Sequence, residues 1–314
     1  MKEAAMAWRR AIPWAAVATL GAALLVGAVA GLSFWMARRS STGEESAVNA
    51  LLSGIEAVPP IRSRLDALIA VSAMGAAGVN VVETLAEFLD DECAAVRSAA
   101  AQKLGELGAG ASAAVPALLK SAKSDKSLGV RMVAIQALAR AASDTPEVRT
   151  VLGRIAEGRE QWLGLYARSA LIHVTGEREV HLPYLVEALD PGRDSHIRAA
   201  AADALGHLGA LAESAVPALV VALRSEDPWV RLNVAYALGN IAQMATVSIP
   251  ALKSAAAVED DSEAGFLAGV AAVYSLGRFR ASAPEAVDAL LGIAEHGQPA
   301  LRNEALKVLS QLEP

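Results

Sequence analysis

The sequence predicts an all-α protein: one transmembrane helix followed by about eight repeated helix pairs. Three observations predict it. The composition suits helices, with 70 alanines among 314 residues and only 4% aromatics. A stretch near the N-terminus carries no charge for 26 residues, Ala11 to Met36. A ten-residue pattern then returns, in steps of 30 to 38 residues, as far as the C-terminus.

Alanine is the best helix former, whereas the β-branched and aromatic residues that strands favour are thin here. A sandwich, barrel or Rossmann sheet is therefore not expected. A hydrophobic fraction of 54% is too high for a disordered chain. The single cysteine, Cys93, excludes an intramolecular disulfide and any multi-cysteine zinc site. The expected organisation is an N-terminal flank at 1–10, a transmembrane helix at 11–36, a linker at 37–58 and a repeat domain at 59–314.

As a helix, residues 11–36 would run roughly 39 Å against a bilayer core of about 30 Å. Trp14 and Trp35 would lie roughly 31 Å apart along it, the separation of two interfacial aromatic belts. Arg9 and Arg10 before it, and Arg38 and Arg39 after it, can snorkel to headgroups. A cleaved signal peptide is the alternative, because Ala28-Val29-Ala30 has the small-x-small form of a cleavage site. Against cleavage, the apolar run continues through Phe34, Trp35 and Met36 and exceeds the usual apolar region of a signal peptide. The basic residues before the stretch outnumber those after it by one, which favours a cytoplasmic N-terminus and an extracytoplasmic repeat domain. Ser40 to Gly43 reads as a flexible linker. Residues 1–43 hold five basic residues and one acidic residue, so of the net charge of −6 the remainder carries −10. A domain that acidic repels nucleic acid.

The repeated pattern is clearest in Val96-Arg97-Ser98-Ala99-Ala100-Ala101-Gln102-Lys103-Leu104-Gly105. Its anchor positions are 64, 97, 131, 168, 198, 231, 269 and 302. Between anchors lies a second segment: Val115-Pro116-Ala117-Leu118, Leu182-Pro183-Tyr184-Leu185, Val216-Pro217-Ala218-Leu219 and Ile249-Pro250-Ala251-Leu252. Proline suits the first turn of a helix. Each unit therefore reads as a helix A opened by proline, a polar turn such as Ser124-Asp125-Lys126, and a helix B opened by Val-Arg. Gly105, Gly206, Gly239 and Gly277 are expected to end the B helices.

This pattern resembles HEAT repeats of the armadillo type, in the short bacterial form also met in phycobilisome-lyase-type proteins. The resemblance covers about residues 60–314. It rests on an Asp-x5-Arg step, seen as Asp91/Arg97 and Asp125/Arg131, followed by alanines and Leu-Gly at fixed offsets. It implies an α-solenoid whose B helices line a concave face, with the Asp and Arg forming a ladder between neighbouring repeats. Arg168, Arg198 and Arg302 lack an acid six residues before them, and Gly269 replaces the arginine altogether, so the ladder is expected to lapse there.

Helical periodicity agrees independently. With the anchor as zero and about 100° per residue, offsets −1, +3, +4, +7 and +10 cluster on one side. They hold Val96, Ala100, Ala101, Leu104 and Leu107 in one copy, and Val230, Val234, Ala235, Leu238 and Ile241 in another. One helix pair cannot bury such a stripe, but a stack can. Offsets +1, +2, +5 and +9 face the other way, toward solvent or a partner.

Catalytic and metal motifs are not found. None of the five histidines lies three or four residues from another, and the His-Glu motifs of the metal-binding α-solenoid deoxyhypusine hydroxylase are missing. Cys93 sits among Asp90, Asp91 and Glu92, where carboxylates disfavour a thiolate. Glu259 to Glu263 is an acidic run without the spacing of an EF-hand loop, and reads as a solvated loop. No catalytic residue, metal or cofactor is expected.

One feature points to a partner. Offset +5 holds Gln102, Gln136, His173, Asp203, Tyr236, Tyr274 and Lys307, and offset +9 includes Asn240 and Arg278. These columns are polar or aromatic throughout an otherwise apolar chain. Tyr236 and Tyr274 come from successive repeats and would sit side by side, flanked by Asn240 and Arg278, as anchors of a groove for a protein or peptide. The function expected is a membrane-anchored interaction scaffold. The alternative is an enzyme or enzyme subunit of the phycobilin-lyase type, which no residue here specifically supports. A purely structural module remains a third reading.

Overall fold

The computed structural model describes residues 64, 66–68, 71, 81–258, 260 and 262–311. The expected membrane helix at 11–36, with Trp14 and Trp35, and the linker at 37–58 lie outside the described residues, as do Glu259 and Asp261 of the acidic run. Every element among the described residues is helical. By internal contacts the chain divides into two units, residues 1–137 and 138–314, and each is described by itself.

In the first unit, helix α1 (Val82–Glu87) continues into a 3-10 turn, Phe88–Asp90. Helix α2 (Ala94–Leu107) is the first fully described B helix. A second 3-10 segment, Gly108–Ala114, leads to the A helix α3 (Val115–Ser124), with Pro116 in its first turn. The division falls within the B helix α4 (Leu128–Ala141). The second unit continues as A and B helices in alternation: α5 (Pro146–Ala156), α6 (Gln161–Thr175), α7 (Arg178–Glu187), α8 (Ser195–Leu208), α9 (Val216–Ala222), α10 (Pro228–Ile241), α11 (Ala245–Ala256), α12 (Glu263–Phe279), α13 (Pro284–His296) and α14 (Pro299–Ser310).

The B-helix stripe is buried as its periodicity requires. Val96, Ala100, Ala101 and Leu104 are fully enclosed, as are Val230, Val234, Ala235, Leu238 and Ile241; Leu107 is half-buried. Capping follows local chemistry. Asp227 Oδ1 accepts from the Trp229 and Val230 amides beside Pro228 at the start of α10. Ser262 Oγ accepts from Gly265 N at the start of α12.

Two expectations about helix ends are corrected. Pro116 and Pro217 open α3 and α9, but Pro183 and Pro250 lie inside α7 and α11. In those copies the turn before the proline is already α-helical, where α3 and α9 are preceded by a 3-10 segment. The glycines also do something other than end helices. Gly105, Gly206, Gly239 and Gly277 sit within α2, α8, α10 and α12, each against the next B helix. A Cβ on Gly105 would stand 3.0 Å from Ala137 Cα, and one on Gly206 would stand 3.0 Å from Ala237 Cα. On Gly239 it would stand 2.4 Å from Ser275 Oγ and 2.9 Å from that residue's Cα. Of these helices α2 and α8 end instead at Gly108 and Gly209, as α6 does at Gly176, with φ of 57°, 54° and 76° that glycine takes most easily; α10 ends at Ala242 and α12 at Arg280.

Serine hydroxyls exploit the close approach. Ser275 Oγ donates to Ala235 O at 2.8 Å, and Ser169 Oγ donates to Ala204 O at 3.0 Å, both buried between B helices. A second link runs along the turns. Arg64 Nη1 meets Asp91 at 3.0 Å, and Arg97 meets both oxygens of Asp125 at 2.7 and 2.8 Å. Arg231 pairs with Asp260. Each arginine thus reaches the acid of the following repeat, 27 to 29 residues on, and Arg97 and Arg231 also hold their own turns by donating to backbone carbonyls, as Arg97 does to Asp91 O at 2.8 Å. Asp260 is therefore a rung of this ladder, and the expectation of a wholly solvated acidic run is corrected at that residue. Where the acid is missing the rung changes: Arg198 Nη1 takes Ser225 Oγ at 3.2 Å.

Among the described residues, Ser195–Ala222 is long and apolar enough to cross a membrane, with a mean hydropathy of 1.5. It is divided by the 3-10 segment Gly209–Ala215, and 44% of its most apolar stretch is buried inside the protein. Its apolarity is that of a packed helix pair, with Leu205, Leu208, Val216 and Leu219 in the core.

Two predictions follow from this packing. Gly239→Ala forces a Cβ into Ser275 and is expected to cost about 1–3 kcal/mol. Gly153→Ala, inside α5 with nothing within 4 Å of the new Cβ, is expected to stabilise by about 0.5–1 kcal/mol. Urea unfolding of the two variants checks both signs. The ladder sets a pH dependence. Burial alone would raise the pKa of Asp125, but hydrogen bonds from Arg97 and from the Ser127 amide hold it below the usual carboxylate value. A depressed pKa means that the stabilisation is present above the unfolded value of about 3.9 and is lost as pH falls through the folded one. Asp125→Asn is expected to cost about 1–3 kcal/mol at neutral pH, and the difference from the parent protein should shrink below about pH 4. A difference that is constant down to acid pH would contradict the charged rung.

Candidate partner-binding face

The residues opposite the buried stripe form the candidate site. Gln102 and Gln136 belong to the first unit, and His173, Asp203, Tyr236, Asn240, Tyr274 and Arg278 to the second. Gln102 is exposed, and its Nε2 donates to Glu106 at 3.1 Å one turn on. Gln136 is half-buried.

On α6 and α8 the face is closed by internal bonds. Tyr166 OH donates to Asp203 Oδ2 at 2.6 Å. Burial and the Asp203 carboxylate push this phenol far above its ordinary pKa, so it stays a proton donor. The ring of Tyr166 makes an edge contact with Trp162 at 6.2 Å and a tilted one with His207 at 6.4 Å. His173 Nε2 lies 3.1 Å from His207 O. Asp203, expected to meet a partner, is half-buried and already accepts a strong hydrogen bond.

On α10 and α12 the face is open. Tyr236 is 44% exposed and Tyr274 39%. The two phenols are near enough to feel each other electrostatically: desolvation, the hydrogen bond from Tyr274 OH to Glu304 at 3.1 Å, and Tyr236 all raise the pKa of Tyr274. Glu304 is held in turn by Lys307 at 2.6 Å. Asn240 is half-buried and Arg278 exposed, one turn beyond the tyrosines.

Two further aromatics join them that the column reading missed. Trp229 at the start of α10 is 54% exposed, and Phe266 at the start of α12 is 39% exposed. Trp229 stands at offset −2, about 160° from the anchor and between the angles of the two chosen columns. Phe266, Val270, Tyr274 and Arg278 recur every four residues along α12. Extending the angular argument to negative offsets finds the tryptophan. Trp229 and Tyr236 thus give α10 an exposed aromatic at each end of the face, beside Tyr274 on α12; Phe266, at offset −3 and about 60° from the anchor, is exposed nearer the buried stripe.

Among the described residues no three His, Cys, Asp or Glu side chains cluster as a metal site would need. Cys93 is a half-buried free thiol.

A family model described as HEAT repeats matches residues 48–139, 82–163 and 182–266. No curated protein matches the chain. Among solved structures it is similar to the karyopherin Kap121p bound to the extreme C-terminus of the protein phosphatase Cdc14p, at 14% identity and a TM-score of 0.49. The likeness covers 85% of this chain and 33% of that one. Kap121p bound to Pho4p gives the same values. The protein YibA of Escherichia coli is similar at 15% identity and a TM-score of 0.38, over 87% of this chain and 98% of that one. The chain spans about a third of the length of the karyopherin. With the repeat model matching more than half of its residues, and with paired helices and an arginine ladder, the chain belongs to the HEAT-repeat family.

Proposed function

We propose that this protein is a non-catalytic, membrane-anchored interaction scaffold that holds a protein or peptide partner on the open face of α10 and α12. The observation that carries the reading is the exposure of Trp229, Tyr236, Phe266 and Tyr274 on neighbouring helices in a chain with 4% aromatics. Tyrosine and tryptophan anchor interfaces because they bury a large area with few rotatable bonds. Asn240 and Arg278 supply polar contacts at the rim. The small, rigid B helices need no reorganisation to present these groups, which lowers the cost of binding.

The anchor rests on the uncharged run Ala11–Met36 and its flanking Trp14, Trp35 and arginines. It places the scaffold at a membrane as a single-pass protein, with the excess of basic residues before the run favouring an extracytoplasmic repeat domain. The net charge of −10 beyond residue 43 supports a protein rather than a nucleic-acid partner.

In-cell crosslinking tests the site. Tyr236→Ala combined with Tyr274→Ala is expected to abolish capture of the partner while leaving Tm within a few degrees, because both side chains are more than a third exposed. Val221→Ala, 62% exposed on α9, should leave capture unchanged. Unfolding of the double variant would make the tyrosines structural, and undiminished capture would place binding on another face.

A further inference from the structure

The arginine ladder lapses in one place in a way that creates a pocket. In the rungs of Arg64 and Arg97 the acid stands six residues before the arginine of the next repeat: Asp91 before Arg97, and Asp125 before Arg131. Six residues before Arg198 stands Gly192. Arg168, the arginine that this position would serve, accordingly has no carboxylate within ion-pair distance among the described residues. Its guanidinium lies against the face of the Tyr184 ring, whose centre is 3.9 Å from the guanidinium carbon, and donates to Ala156 O at 3.4 Å.

The neighbouring acids are engaged elsewhere or stand off. Asp190 Oδ1 accepts from Gly192 N at 2.7 Å, and Asp194 caps α8 through His196 N. Glu187 is paired with Arg193. Glu157, the residue after α5, is exposed and makes no ion pair with Arg168. Burial and the charge of Arg168 lower the pKa of His181, one turn before Tyr184 on α7, against the nearby Glu177. Arg168 opens into a cleft of about 200 Å³ whose walls include Tyr184, Gln161, Gly158 and Gly164, with Arg193 and its partner Glu187 on one side and the exposed Glu157 at the rim. The small glycines leave room, and the tyrosine ring holds the guanidinium plane in a fixed orientation.

We propose that this cleft binds a carboxylate side chain of a partner peptide, which completes the rung that Gly192 leaves open. A guanidinium presents parallel N–H groups that match a carboxylate in two-point fashion, as Arg97 does with Asp125. The incoming glutamate or aspartate takes the same place on Arg168, with the ring of Tyr184 stacked on the guanidinium. The site lies on α5 to α8, apart from the aromatic face of α10 and α12, so it stands or falls separately from the tyrosine test.

The experiment uses the full chain labelled with 15N, with N-acetylglutamate amide as the probe and N-acetylglutamine amide as its neutral counterpart. The expected result is a saturable shift of the Arg168 side-chain Nε resonance with the glutamate probe, about tenfold or more weaker with the glutamine one. Arg168→Lys should abolish the binding, because an ammonium lacks the paired N–H groups, while Arg198→Lys should retain it. Gly192→Asp supplies an internal acid, and should raise Tm and remove binding together. No shift, an equal response to both probes, or a Gly192→Asp protein with raised Tm that still binds would overturn the proposal.

Discussion

Within each unit, neighbouring B helices approach closely at glycines, and the rest of the packing depends on that contact. It is made where a glycine late in one helix faces a small residue in the next: Gly105 against Ala137, Gly206 against Ala237 and Gly239 against Ser275. Without a Cβ at these positions the helices come close enough for Ser275 to reach the Ala235 carbonyl with its hydroxyl. The abundance of alanine follows from the same constraint, since Ala100, Ala101, Ala201, Ala202, Ala235 and Ala272 pack with no exposed surface. Such a core gains little per side chain from burial, so it relies on close fit along many helices.

The candidate face is a consequence of which side of each B helix the contact leaves over. Once the glycine side and the leucine side are enclosed, the residues at offsets −2, +5 and +9 are left on the remaining side, some exposed and some, such as Tyr166, covered by their neighbours. On α6 and α8 that outer side is tied down by Tyr166, Asp203, His173 and His207. On α10 and α12 large aromatic groups stay exposed instead. At the other end of the repeats that carry it, the anchor arginine changes its chemistry from one to the next: a carboxylate for Arg97, a serine for Arg198, a tyrosine ring for Arg168.

Much of this was legible in the sequence, because helical periodicity is a matter of angle alone. The stripe from Val230 to Ile241 was assigned from spacing and is buried, and Tyr236 and Tyr274 were placed outward by the same spacing. What escaped depended on contacts between helices. The motif shows Gly239 beside Leu238 in the chain but not Ser275 opposite it, so a packing glycine read as a helix end. Arg231 shows no acid six residues before it, and its partner Asp260 lies 29 residues later, in what read as a solvated loop. Pro183 and Pro250 carry the same local signature as Pro116 and Pro217; only the conformation of the preceding turn separates a first-turn proline from an interior one.

The contact between α12 and α14 allows the most direct measurement of the central claim. A Cβ on Gly277 would lie 2.6 Å from Val308 Cγ1, with the next nearest atom at 3.9 Å, so a single methyl group decides the fit. Urea unfolding of Gly277→Ala, Val308→Ala and the double variant forms a cycle that isolates it. If close helix approach governs stability, Gly277→Ala destabilises the parent by about 1–3 kcal/mol and is neutral or stabilising once Val308 is alanine. An equal cost for Gly277→Ala in both backgrounds would mean that the two helices do not meet there, and the account would fail.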